Sequence, residues 1–175
     1  LTFDFPKAHE HKNNVMNKMR DGIAGLMKKY KVDVVEGEAK LLPNSQVEIN
    51  GEIHEATDIL LCTGSSPAIP PIPGVDLEHV VDSSGILLRE TLPNHLVVVG
   101  GGVIGCEFAC MYASVGVQVT VLEAMPEICP NLDPEVSASL REGLDKKGVT
   151  FNLGAKVESI SADKVSYADD SGSNE

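Results

Sequence analysis

Gly100, Gly102 and Gly105 stand in the order G-x-G-x-x-G, and an acid, Glu123, follows about 20 residues further on. Glycines so spaced can hold an anion. Gly100 lets a strand turn tightly into a helix, Gly102 lacks a Cβ so that a pyrophosphate can reach the backbone, and Gly105 lets helix and strand pack closely. Gly101 belongs to the same stretch of bare backbone. The N–H groups of Val103 and Ile104 are then free to point at a ligand, and the helix dipole favours negative charge there. Glu123 is placed to accept hydrogen bonds from the hydroxyls of an adenosine ribose.

A glycine-rich turn alone is a weak signal, because many structural loops contain one. The elements around this one make it specific. Leu96–Val99 is an unbroken apolar run, as expected of a strand buried on both faces of a parallel sheet. A helix-compatible run follows the glycines and ends at Gly116, a C′ position. Val117–Leu122 is a second β-rich run, and it finishes on Glu123. Strand, turn, helix, strand and acid together form a β-α-β unit of about 30 residues, the arrangement that binds a dinucleotide.

Composition sets the outer bounds. A chain of 175 residues with 42% hydrophobic and 23% charged residues is an ordinary globular protein of one domain or two small ones. The net charge of −12 argues against nucleic acid or an anionic membrane as a partner. No apolar run reaches the ~18 residues that a membrane helix needs, and no signal-peptide pattern is present. Cys62, Cys106, Cys110 and Cys129 show no C-x-x-C or zinc-type spacing. Cys106 and Cys110 are neighbours on one helix face, but helical geometry aims their Cβ vectors poorly for a disulfide. All four read as small, mostly buried thiols of a reducing, cytoplasmic compartment.

Along the chain, no element is assigned to Leu1–Pro6. Ala8–Tyr30 reads as a helix with Val15, Met16, Met19, Ile23, Leu26, Met27 and Tyr30 on one face, packed on a core; Gly22 and Gly25 invite a kink. Val32–Glu36, Gly37–Leu42, Gln46–Ile49 and Glu52–Glu55 read as an antiparallel meander, with turns at Pro43-Asn44-Ser45 and Asn50-Gly51. Its glutamates alternate as on a half-exposed sheet, a simpler account than a metal or acid–base cluster. Ala56–Cys62 reads as an apolar strand that breaks at Thr63-Gly64-Ser65-Ser66. The proline-rich PAIPPIPG then marks a domain boundary, dividing the chain into 1–74 and 75–175.

In the second part, Asp82-Ser83-Ser84 caps a short helix over Gly85–Glu90. Asp133-Pro134-Glu135 starts a longer one, with Val136, Leu140 and Leu144 facing inward and a finish at Lys146-Lys147-Gly148. Val149–Leu153 is a third parallel strand. Lys156–Ile160 and Lys164–Tyr167 form a hairpin pair, and the tail YADDSGSNE reads as a polar loop with no closing strand. Both ends look cut, as in an excerpt of a longer chain.

Three stretches resemble the pyridine nucleotide–disulfide oxidoreductase family: ATDILLCTGSSPAIPPIPG, LPNHLVVVGGGVIGCEFACMYASVGVQVTVLE, and the spacing from Glu123 through LDPEVSASLREGLDKKGVTFNLGAKVESI. The resemblance covers almost the whole chain. It implies an α/β fold, a Rossmann-like NAD-binding domain (parallel sheet plus β-meander) joined to part of an FAD-binding domain, with the NAD domain lacking its last strand. It further implies an FAD- and NAD-dependent enzyme passing electrons from dihydrolipoamide through a redox disulfide to flavin, then as hydride to NAD. Carried over by position, Gly100, Gly101, Gly102, Val103, Ile104 and Gly105 hold the NAD pyrophosphate, Glu123 the ribose and Val157 the adenine edge, while Glu107 lies near the nicotinamide. Thr63, Gly64 and Ser65 match flavin contacts, as does Ala39 through its backbone. The resemblance also implies a lipoamide-bearing acyltransferase complex as partner of the parent enzyme and a homodimeric full-length form.

Departures limit what is carried over. Cys62 stands where the family usually has alanine, and the Cys-x4-Cys redox pair, the N-terminal flavin fingerprint and the His-Glu acid–base pair are absent from these residues. No catalytic residue and no metal ligand is therefore expected here, and the isolated chain is expected to be inactive. NADH oxidases and other disulfide reductases share these middle motifs, and a non-catalytic NAD-binding module is the reading from a different class. Charge favours NAD over NADP. A 2′-phosphate ~4 Å from Glu123 is repelled by about 4 kcal/mol at an effective dielectric of ~20, close to a thousandfold as an upper figure. No Arg lies between Glu123 and Glu135 to receive it.

Overall fold

The computed structural model describes residues 3–175 and divides into two compact units, one of Lys7–Ser66 and one of Pro67–Glu175 together with the described residues before Lys7. In the first unit, helix α1 spans Phe5–Lys29 without interruption, so Gly22 and Gly25 do not break it. Each costs only about 1 kcal/mol relative to alanine, and Met, Leu, Lys and Ala around them favour helix. Strands β1 (Ala39–Leu42), β2 (Gln46–Ile49) and β3 (Glu52–Glu55) pair antiparallel in that order. The β2–β3 turn is Asn50-Gly51, at φ 52° and 84°, the left-handed pair that a two-residue hairpin requires.

Four expectations for this unit are corrected. Val32–Glu36 forms no strand, and neither does Ala56–Cys62, whose Leu60 and Leu61 are exposed. An apolar strand needs neighbours on both edges and both faces, and nothing in residues 7–66 supplies them. The stripe on α1 is likewise uncovered: no residue of the helix is buried, and Val15, Met16, Met19, Ile23 and Leu26 are exposed. Strand β3 is exposed along its whole length rather than on alternate residues.

The second unit holds the core. Helix α2 (Ser83–Ile86) is shorter than expected, but Asp82 caps it as read, accepting from the N–H groups of Ser84 and Gly85. Strands β4 (His95–Val99), β5 (Gln118–Glu123) and β6 (Val149–Leu153) form a parallel sheet in the order β4-β5-β6. Helix α3 (Val103–Ser114) links the first two, and α4 (Pro134–Asp145) the second pair. The fold is thus α/β, with one half of a doubly wound sheet.

Because β5 is central, its Val119, Val121 and Leu122 are buried, whereas β4 is an edge and only half-buried, not covered on both faces as expected. Cys106, Ala109 and Tyr112 of α3, Leu144 of α4, Val149 of β6 and the loop residues Ile128 and Cys129 complete the core. On α4 the buried face is Ser137 and Leu144; Val136 and Leu140, expected to point inward, are exposed. The Ser137 hydroxyl donates to the Cys129 carbonyl, which turns this polar position toward the core.

Strands β7 (Lys156–Ile160), β8 (Val165–Asp169) and β9 (Gly172–Asn174) make an antiparallel meander. β9 lies in the tail expected to be loop. It pairs with β8 across a turn in which Asp169 accepts from the backbone N–H and the hydroxyl of Ser171. The proline-rich segment belongs to this unit: Ile160 N–H donates to the Pro73 carbonyl, and a Cβ on Gly74 would lie 2.0 Å from the Ile160 carbonyl oxygen.

Candidate dinucleotide-binding site

The glycine turn sits between the end of β4 and the start of α3. Gly100 has φ 105°, a conformation that only glycine adopts without strain, and its N–H donates to the Leu122 carbonyl at 2.8 Å. This hooks the turn onto the central strand. Gly105 is the packing glycine: a Cβ there would lie 2.1 Å from the Gly100 carbonyl oxygen. Gly102 is the N-cap of α3, and no side chain caps the helix. A serine or aspartate at that place would satisfy the first amides itself; glycine leaves those of Val103 and Ile104 to a ligand. A Cβ on Gly102 would meet nothing within 4 Å, so the approach to the backbone is open.

Glu123 ends β5 beneath this turn and is 8% exposed. One carboxylate oxygen accepts from Gly101 N–H at 2.6 Å and the other from Met125 N–H at 2.7 Å. The acid and the glycine loop are therefore one hydrogen-bonded unit. Gly101, which the spacing rule treats as a free position, is tightly enclosed: a Cβ would lie 2.9 Å from Ile128 Cγ2 and 3.2 Å from the Glu123 carboxylate.

The loop after β5 is held from the other side. Arg141 of α4 makes a bidentate pair with Glu127, at 2.8 and 3.0 Å, and the Arg141 hydrogen bonds hold the Glu127 carboxyl below its ordinary range. Arg141 lies beyond the Glu123–Glu135 span, and its guanidinium is already engaged by Glu127. The β6–β7 turn closes the site, with Ala155 N–H donating to the Glu123 carbonyl and Gly154 N–H to that of Met125. Val157 follows on β7, half-buried and paired with Tyr167.

The remaining residues read from the sequence fall elsewhere. Glu107 is exposed on α3. Ala39 pairs with Ile49 in the meander of the first unit, and Thr63, Gly64 and Ser65 are exposed outside any regular element. Among the described residues no hydrogen bond joins Ala39 to that segment.

All four cysteines are free thiols; Cys106 and Cys129 are buried, Cys110 half-buried and Cys62 exposed, where a mostly buried set was expected. Burial pushes the Cys106 thiol up from 9.0 to about 12, with Cys129 and the Glu123 carboxylate adding to the effect. A group so raised stays protonated in the folded chain while the unfolded chain ionises. Stability is then complete below about pH 9 and falls as pH rises toward about 12, by roughly 1.4 kcal/mol per pH unit. Urea unfolding near pH 8 and near pH 10.5 is expected to show this loss, and Cys106→Val to reduce it; an unchanged slope in the variant would remove Cys106 as its source.

Residues 3–174 match the pyridine nucleotide-disulphide oxidoreductase family. This chain belongs to that family. It is 36% identical over 170 residues to the dihydrolipoyl dehydrogenase of Acholeplasma laidlawii, covering 95% of this chain and 51% of the relative. It is 37% identical over 163 residues to that of Chlamydia pneumoniae, covering 91% and 35%. The chain thus spans about half the length of one curated relative and about a third of the other. Among solved structures, the HOCl-induced flavoprotein disulfide reductase RclA from Escherichia coli superposes with a TM-score of 0.84 at 32% identity, covering 98% of this chain and 41% of that one. Among the described residues no helix is long and apolar enough to cross a membrane.

Proposed function

We propose that this chain is the nicotinamide-binding part, with a portion of the flavin-binding part, of a dihydrolipoyl dehydrogenase that uses NAD and FAD. The observation that carries the reading is the joined geometry of the turn: an uncapped helix N-terminus, an open Gly102, and the buried Glu123 carboxylate tied to Gly101 at 2.6 Å. An anionic pyrophosphate fits the first and second of these, and ribose hydroxyls fit the third.

Val103 and Ile104 would donate their N–H groups to the pyrophosphate, Glu123 would orient the adenosine ribose, Val157 would lie beside the adenine, and Glu107 would lie near the nicotinamide. Thr63, Gly64, Ser65 and the Ala39 backbone would contact the flavin. When bound, the two cofactors supply the redox chemistry, electrons from dihydrolipoamide reaching NAD as hydride by way of a disulfide and the flavin. No two of the four cysteines here have the Cys-x4-Cys spacing, so the part of these residues in the relay is to hold and orient. The parent enzyme would work as a homodimer with a lipoamide-bearing acyltransferase complex.

The test is a paired titration. The protein is expected to quench or enhance NADH fluorescence on binding, with NADPH weaker by up to about a thousandfold. Absence of NADH binding by the folded protein would end the dinucleotide reading. A dihydrolipoamide-driven reduction of NAD by the parent, with flavin absorbance in the purified protein, supports the specific assignment; a colourless parent that still binds NADH points instead to a non-catalytic module.

A further inference from the structure

The underside of the glycine turn carries two groups that the proposed function does not use. Cys106 on α3 and Cys129 on the loop after β5 are both buried, with their sulfurs 3.9 Å apart. The Cys106 thiol donates to the Gly101 carbonyl at 3.3 Å, and the Cys129 sulfur lies 3.6 Å from the same oxygen. The Cys129 backbone N–H also donates to it, at 2.9 Å. A carbonyl has two lone pairs. The backbone N–H and the Cys106 thiol fill them, which leaves the Cys129 thiol to the Cys106 sulfur.

This matters because of what lies across that peptide. In a planar trans peptide the C=O and the N–H point in opposite directions. Drawing the Gly101 oxygen down onto the thiols therefore aims the Gly102 N–H up, away from the core. The Gly102 N–H makes no hydrogen bond to another described residue, and a Cβ on Gly102 would meet nothing within 4 Å. The peptide lies between two glycines, so no side chain of its own fixes its orientation, and the bonds to its carbonyl from Cys106 and Cys129 are what hold it. A flipped peptide would present a carbonyl oxygen, not an N–H, to an anion.

We propose that Cys106 and Cys129 form a buried thiol clamp that locks the Gly101–Gly102 peptide with its N–H facing a dinucleotide pyrophosphate, making them positioning residues for cofactor binding. Burial suits the role, since a thiol that stays protonated remains a donor. The proposal rests on the dinucleotide reading above.

The experiment compares the protein with Cys106→Val, which removes the donor at similar volume, and Cys106→Ser, which restores one. Calorimetric titration uses NADH, ADP-ribose and nicotinamide mononucleotide. Binding of NADH and ADP-ribose by the unmutated protein is measured first; its absence refutes the dinucleotide reading itself. Given that binding, Cys106→Val is expected to weaken ADP-ribose and NADH by about five- to tenfold, the scale of one neutral hydrogen bond. Cys106→Ser returns to within about twofold, and the Gly102 amide resonance moves in the valine variant. Unchanged ADP-ribose affinity in Cys106→Val overturns the clamp. Equal weakening by valine and serine also overturns it, since packing then explains both. Should the valine variant fail to fold, the S–H stretch of the unmutated protein decides: buried thiols are expected below the frequency of exposed Cys62, and coincidence with it overturns the proposal.

Discussion

Gly105→Ala is expected to remove measurable NADH binding and to lower the melting temperature of the same protein. The new Cβ would stand 2.1 Å from the Gly100 carbonyl oxygen and 3.2 Å from Val98 Cγ1. The first neighbour is backbone and cannot swing aside. Optimal contact between carbon atoms is about 3.5–4.0 Å, so α3 must draw off the turn by on the order of 1 Å. That motion carries the Val103 and Ile104 amides with it, and a displacement of ~1 Å at a positioned group can cost about a hundredfold. Overpacking of this kind also costs roughly 1–3 kcal/mol, on the order of 5 °C for a domain of this size. Gly102→Ala provides the contrast. Its Cβ meets nothing within 4 Å and its φ of −71° suits any residue, so the fold should be unchanged while the ligand approach is filled. A Gly105→Ala protein that binds NADH as tightly as the parent would show that α3 is not held where the turn geometry requires.

How far such effects were readable in advance depended on distance along the chain. The unit from His95 to Glu123 was legible because its signals are local: an apolar run, glycines at fixed offsets, and Gly116 at φ 92° ending the helix. The Asp133 cap and its proline announced α4 for the same reason. What pairing or packing decides was not legible. Ala56–Cys62 has the composition of an inner strand and becomes none, since composition cannot supply the neighbours that a strand needs. The stripe on α1 has the right period, but a period states which face is apolar and not what covers it. β9 gave no signal, because Gly172, Ser173 and Asn174 carry no apolar alternation and the strand follows from the Asp169 turn.

The site divides the same way. The roles of Gly100, Gly102 and Gly105 follow from spacing. That of Gly101 depends on Ile128 and Glu123 folding over it. The thiol pair is hidden for the same reason, since Cys106 and Cys129 are 23 residues apart in sequence, while the neighbouring pair that helical spacing suggests, Cys106 and Cys110, is not the one in contact.

Glu123 is where the fold and the proposed recognition meet, and its substitutions should separate the two. Glu123→Ala leaves the Gly101 and Met125 amides without their acceptors in a region where the acid is only 8% exposed. Each orphaned amide costs about 1–3 kcal/mol, so a loss of roughly 2–6 kcal/mol is expected, with NADH binding lost alongside it. Glu123→Gln keeps the volume and one acceptor oxygen, but turns an NH2 toward one of the two N–H groups. Stability should therefore fall by about half as much, while the negative charge disappears altogether. Removing the charge removes the repulsion of a 2′-phosphate, so the ratio of NADH to NADPH affinity should narrow from its parent value by at least about tenfold. Thermal melts and parallel titrations of the two variants read these separately. If glutamine preserves the full NADH preference, the selectivity comes from the shape of the closed loop and not from the carboxylate charge. The Arg141–Glu127 pair that holds that loop would then be the place to look.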